Sequence, residues 1–164
     1  MILIGLGSNL ESADGHSTVQ NLENALTSLA SRGIKILRSS RFYETAPMPA
    51  DGTPWYVNAV TEVSTELSAR DLLTGLLAIE TQLGRVRGIQ NAPRIIDLDL
   101  LDFHGWITTE KNLILPHARM TERAFVLRPL SDIAPAWRHP VSGKSATRLL
   151  REINADQIVR PLTS

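Results

Sequence analysis

The sequence of 164 residues has no cysteine, few aromatic residues (three Phe, two Tyr and three Trp) and no excess of either charge. Each shortage closes off a class of function. Without Cys there is no disulfide scaffold, no thiolate zinc site and no cysteine nucleophile, and a reducing or redox-indifferent compartment is expected. Seventeen Lys+Arg balance 17 Asp+Glu, whereas a general nucleic-acid or anionic-membrane binder carries a basic excess. Long hydrophobic runs are missing too: Met1 to Leu6 is apolar but far too short to span a bilayer, has no basic leader and meets Gly5 and Gly7 at once. It reads as a first strand, and the cytoplasm is the expected compartment. What remains is 43% hydrophobic, enough for a sizeable core in one domain covering residues 1–164.

Periodicity supplies the elements. After Met1 to Ile4, the stretch Gly5-Leu6-Gly7-Ser8-Asn9 reads as a strand exit through tight turns with positive φ. Ser17-x-x-Gln20 is a capping-box pattern, and Val19, Leu22, Leu26 and Leu29 recur at helical spacing until Gly33. Ile34 to Tyr43 predicts a strand, and Val57, Ala59, Thr61 and Val63 at period two predict another, with a Pro-rich loop between them. Ser68-x-x-Asp71 opens a second helix, which carries Leu72, Leu76, Ile79 and Leu83 and ends at Gly84. Ile95 to Phe103 predicts a strand, followed by a short hairpin through Gly105, a loop around Pro116 and a last helix from about Ser145 to Ile153. Strand, helix, strand, strand, helix, strand is the split βαβ order. It predicts a ferredoxin-like α+β sandwich, a mainly antiparallel sheet with helices on one face. The long loops at 44–56 and 84–94 are functional candidates.

Chemistry concentrates in Gly84-Arg85-Val86-Arg87 and Pro93-Arg94-Ile95-Ile96-Asp97-Leu98-Asp99-Leu100. Strand residues two apart share a face, with Cα atoms about 6.6 Å apart, so Asp97 and Asp99 project together while Ile96, Leu98 and Leu100 face the helices. Two readings stay open at this point. The pair lies on a solvated face beside nearby arginines, or it serves a site: like charges side by side need compensation, Mg²⁺ takes one or two carboxylates plus substrate phosphates, and guanidinium forks fit phosphate oxygens.

Those segments resemble the signature of the 6-hydroxymethyl-7,8-dihydropterin pyrophosphokinase family of folate biosynthesis. Gly7-Ser8-Asn9, Tyr43-x-Thr45-x-Pro47, Tyr56-x-Asn58-Ala59, Ile79-Glu80, Pro116-His117 and Arg123-x-Phe125 match in order, over nearly the whole chain. The resemblance implies transfer of pyrophosphate from ATP, the co-substrate, to the hydroxymethyl group of 6-hydroxymethyl-7,8-dihydropterin, with release of AMP. The substrate hydroxyl attacks the β-phosphorus, so positioning and electrostatics carry catalysis without a protein nucleophile. It further implies two Mg²⁺ ions on Asp97 and Asp99, ATP or its phosphates on Glu80, Arg85, Arg87, Arg94, His117 and Arg123, and catalytic roles for Arg85 and Arg94. The pterin would stack between Tyr56 and Phe125, with Thr45, Pro47 and Asn58 reading its edge.

Glu80 also reads as a solvated residue beside the apolar helix stripe, and Arg119, His16, His104 and His139 read as surface residues. Two departures concern nucleotide binding. Gly88 to Ala92 lacks the basic residue and Trp that the family often has there, and Ala118 follows His117 where the family often has Tyr. Ligand-driven ordering of Arg85 to Ala92 is expected nonetheless. A pterin- or nucleotide-binding paralogue of low activity is the alternative function. Zero net charge and the paired aspartates disfavour an RNA-binding module. No nucleic-acid or membrane partner is expected, and a monomer is.

Overall fold

The computed structural model describes residues 1–47, 51–85 and 94–163. β1 (Ile2–Ser8) lies in the middle of the main sheet, antiparallel to β4 (Tyr56–Ser64) on one side and to β5 (Asp97–Phe103) on the other. The far edge of β4 is shared by β2 (Lys35–Ser39) and β3 (Tyr43–Thr45), and β3 in turn pairs with β8 (Val159–Pro161). With α1 (Thr18–Ser31) and α2 (Ala69–Gln82), this is the expected antiparallel α+β arrangement. Both helices start where the sequence predicts: Ser17 and Gln20 form the reciprocal capping box, and the Ser68 hydroxyl accepts the Asp71 N–H. Among the described residues no helix is long and apolar enough to cross a membrane.

The expected strand over Ile34 to Tyr43 is two strands. Ser40 interrupts it: its N–H donates to the Val60 carbonyl and its hydroxyl accepts the Val60 N–H, so a side chain replaces one rung of the ladder. The hairpin expected through Gly105 lies further on, between β6 (Thr108–Glu110) and β7 (Leu113–Leu115), where Asn112 takes the positive φ of the turn.

Helices cover both faces of the sheet, not one. Leu22, Leu29, Leu72, Leu76 and Ile79 of α1 and α2 pack with Ile4, Ala59, Leu98 and Leu100 on one face. On the other, α3 (Ala124–Ile133) and α4 (Ala146–Glu152) pack Leu127, Leu130 and Leu149 against Leu3, Val60 and Leu101. Thus β4 alternates between two cores, and its period-two pattern marks only one of its two buried faces. α3 has no counterpart in the sequence reading because Pro129 lies inside it and Arg123 gives it no side-chain cap.

His139, expected at the surface, is buried in this second layer. Its Nδ1 accepts the N–H groups of Val141 and Ser142, and its ring meets that of Trp137 edge-on at 5.9 Å. Nearby, buried Asp102 accepts the Trp137 indole N–H at 2.8 Å and the Gly105 N–H at 2.9 Å. Replacing Asp102 with Ala leaves the buried Trp137 N–H unpaired, whereas exposed Gly105 can turn to water, so urea denaturation should show a loss of about 1–3 kcal/mol.

Candidate active site

The floor of the site is made by what β1 lacks. In the sheet register Gly5 lies opposite Asp99 and Gly7 opposite Asp97, so β1 puts no side chain beside the two carboxylates. These glycines are extended strand residues and not the predicted positive-φ turn. At Gly7 the need is closeness: a Cβ there would sit 2.7 Å from Asn58 Oδ1. Asn58 in turn donates through Nδ2 to Thr45 Oγ1 at 2.7 Å, joining β4 to β3. Ser8 and Asn9 continue the motif. Asn9 Oδ1 accepts the Arg94 N–H at 2.7 Å, and Asn9 N–H donates to the Arg94 carbonyl at 3.0 Å, so Arg94 is tied to the end of β1. Asn9 is thus an anchor for Arg94 more than the turn residue that its sequence context predicts. Its signal was a polar pair directly after an apolar strand.

Asp97 and Asp99 share the face expected of them, with Leu98 and Leu100 in the core behind. Arg94, whose direction the sequence left open, turns toward them: its Nη1 donates to Asp97 Oδ2 at 3.0 Å. Arg85 Nη1 donates to Asp97 Oδ1 at 3.1 Å and to Glu80 Oε2 at 2.5 Å. Glu80 is not solvated. Its side chain is 1% exposed, and its Oε2 also accepts the Leu98 N–H at 2.8 Å. Burial pushes its carboxyl upward, opposed by these hydrogen bonds and by Arg85. On the other side of the pair, Arg123 Nη1 is 3.8 Å from Asp99 Oδ2, and His117 Nε2 is 3.9 Å from Asp99 Oδ1. Burial and the Arg123 charge both lower the His117 pKa, which favours neutral imidazole.

Two clefts meet here. One, of about 410 Å³, runs past Glu80, Arg85, Leu113, Leu115 and His117; the other, of about 570 Å³, runs past Thr45, Pro47, Tyr56, Asn58, Arg123 and Phe125. Arg94, Asp97 and Asp99 line both. The larger cleft also takes in Asp51, Arg119, Glu122 and Gln157, to which the sequence reading gave no role. Arg87 and the loop through Ala92 lie outside the described residues, as does the expectation of ligand-driven ordering attached to them.

This geometry, two clefts converging on paired carboxylates ringed by guanidinium groups, defines an α+β phosphotransferase. Residues 3–135 match the family described as 7,8-dihydro-6-hydroxymethylpterin-pyrophosphokinase. A 2-amino-4-hydroxy-6-hydroxymethyldihydropteridine pyrophosphokinase of Methylorubrum extorquens is 37% identical over 158 residues, covering 96% of each chain. A folic acid synthesis protein of Pneumocystis carinii is 38% identical over 161 residues; these are 98% of this chain but 21% of that longer protein. Among solved structures, a wild-type HPPK-DHPS of Plasmodium falciparum with pteroate shares the fold at a TM-score of 0.72 and 18% identity, covering 92% of this chain and 44% of that one. The chain belongs to the 6-hydroxymethyl-7,8-dihydropterin pyrophosphokinase family of folate biosynthesis.

The site strains the fold that holds it. Burial, and next the Asp97 charge, push the Asp99 carboxyl up to about 7. An acid whose pKa is raised on folding binds its proton more tightly in the native state, so its contribution to stability is greatest at low pH and falls as pH rises toward 7. Asp99→Asn should therefore raise the melting temperature of the metal-free protein at pH 7.5. The gain should shrink steadily as the pH is lowered toward 4, as calorimetry across that range will record, while turnover is lost.

Proposed function

We propose that the chain, acting as one catalytic domain, transfers pyrophosphate from ATP to the hydroxymethyl group of 6-hydroxymethyl-7,8-dihydropterin and releases AMP. The observation that carries this reading is the junction of two clefts at Arg94, Asp97 and Asp99. A reaction between two bound substrates needs two compartments sharing one reacting point. The smaller cleft takes ATP, with His117 and Glu80 at its wall and Arg85, Arg87, Arg94 and Arg123 as phosphate contacts. The larger takes the pterin between Tyr56 and Phe125, with Thr45, Pro47 and Asn58 at the ring edge.

The donor set suits Mg²⁺. Asp97 and Asp99 offer hard oxygen ligands side by side on one strand face, and their adjacent negative charges are of the kind a dication offsets. Asp97 and Asp99 would hold two Mg²⁺ ions, with ATP phosphates completing their ligands. When bound, they supply charge neutralisation on the polyphosphate. The chain does the rest. Arg85 holds Asp97 through its Nη1 bond, Asn9 fixes the backbone of Arg94, and the Arg94 guanidinium, bonded to Asp97, is the donor that would meet the reacting phosphoryl group. Arg123 spans both ligands, facing Asp99 while its guanidinium carbon lies 5.5 Å from the centre of the Phe125 ring. A cytoplasmic monomer is part of the same proposal, although a plant relative in Arabidopsis thaliana, 38% identical over 132 residues, is a mitochondrial bifunctional protein.

The direct test is product identification. With Mg·ATP and the dihydropterin, AMP and the pterin diphosphate should appear in equal amounts. Formation of ADP, or hydrolysis of ATP without pterin turnover, would overturn the reading.

Two variant sets separate the compartments. Tyr56→Ala and Phe125→Ala should weaken pterin binding in calorimetry, by about 1–3 kcal/mol for a lost stacking face, and leave binding of an ATP analogue near the parental value. Arg94→Ala should lower single-turnover chemistry about 100- to 1,000-fold, the scale for loss of one preorganised donor, with a smaller change in ATP affinity.

A further inference from the structure

The family match ends at residue 135, yet the larger cleft is completed by residues beyond it. Gln157, Ile158 and Val159 line its wall. Gln157 Oε1 accepts the Ala124 N–H at 2.9 Å, and its Nε2 donates to the Glu122 carbonyl at 2.8 Å. The amide thus brackets Arg123 and caps a helix whose own N-cap residue has no side-chain capping bond. Directly after it the chain crosses to the opposite wall. The Ala46 N–H donates to the Ile158 carbonyl at 3.2 Å, and Val159 pairs with Thr45 in β3. One short segment is therefore bonded to both sides of the cleft, the wall carrying Phe125 and the wall carrying Thr45.

We propose that Gln157 is a positioning residue for the acceptor substrate, fixing the first turn of α3 so that Phe125 and Arg123 stand ready to receive the pterin. This rests on reading the larger cleft as the pterin compartment. Phe125 is the second residue of α3. If the Ala124 N–H loses its acceptor, that turn frays, and the ligand must order it on binding, which weakens affinity. The smaller cleft contains neither Gln157 nor the first turn of α3, so nucleotide affinity feels the loss only through Arg123 and falls less than pterin affinity.

The experiment uses the full chain in four forms: parent, Phe125→Ala, Gln157→Met, which keeps the length without the amide, and Gln157→Glu, which keeps an oxygen facing the Ala124 N–H. Binding of 6-hydroxymethylpterin and of a non-hydrolysable ATP analogue is measured by calorimetry, with amide hydrogen exchange at Ala124. Gln157→Met should raise the pterin dissociation constant about tenfold, equivalent to about 1.4 kcal/mol and within the range of one N-cap bond. It should also speed exchange at Ala124 and change the nucleotide constant by less than about threefold. Gln157→Glu should slow exchange at Ala124 relative to Gln157→Met and recover part of the pterin affinity, because one carboxylate oxygen still accepts the Ala124 N–H at a helix N-terminus while the other can no longer donate to the Glu122 carbonyl. An unchanged pterin constant in Gln157→Met, a loss for the nucleotide as large as that for the pterin, or exchange at Ala124 as fast in Gln157→Glu as in Gln157→Met would overturn the role of Gln157. Weakened pterin binding in Phe125→Ala alone would show that the cleft reading stands while the role of Gln157 does not. A parent that binds nucleotide but no pterin would overturn the cleft reading, and the role of Gln157 with it.

Discussion

Everything at the mouth of β5 depends on compensating negative charge. Glu80, Asp97 and Asp99 come together where α2 ends and β5 begins, and Arg85, Arg94 and Arg123 face them. Loss of Arg85 would take a guanidinium partner from the buried carboxylate of Glu80, and Arg85 and Arg94 both bond Asp97, so these groups act as a unit. The unit explains local features that would otherwise look unrelated. Arg85 follows the Gly84 turn so that it can fold back onto Glu80, the Leu98 N–H is satisfied by a side chain, and Arg94 is tied by its backbone to Asn9. A cluster held this way presents its carboxylates in fixed positions before any ligand arrives, and preorganised charge is what phosphoryl transfer asks of a protein.

The position of that cluster follows from the second helical layer. α3 and α4 cover one half of the sheet face that carries Asp97 and Asp99. Over the other half, Gly5 and Gly7 leave β1 bare, and the larger cleft opens there. A sheet covered completely on both faces would be a sound core with no site. This one stops its second layer at the first turn of α3, where Phe125 packs against that core on one side and lines the cleft on the other.

Local patterns made the first layer legible. The capping residues Ser17 and Ser68, the helical stripes through Leu22 and Leu72, and the alternation around Asp97 all act within a few residues, so the sequence displays them directly. The second layer is encoded differently. The cap of α3 comes from Gln157, more than thirty residues downstream, β8 exists only through its pairing with β3, and Pro129 disguises the helix that contains it. The same divide runs through the site. The carboxylates and most arginines could be named from spacing and resemblance, whereas the backbone anchor Asn9 and the deep burial of Glu80 arise from contacts between distant segments.

The register of β1 has a consequence for how the protein comes together and comes apart. This strand near the start of the chain pairs with residues 57–63 on one side and with residues 97–103 on the other. Closing loops of that size is entropically slow, and topologies rich in such pairings fold less rapidly than those built from neighbours. The junction of the clefts is therefore assembled only when the sheet itself is complete. A ligand bound there has no local fragment to stabilise, and its binding energy is felt as resistance of the whole sheet to opening. In a cell, the supply of substrate would thus set how long each molecule escapes proteolysis, as well as how fast it works.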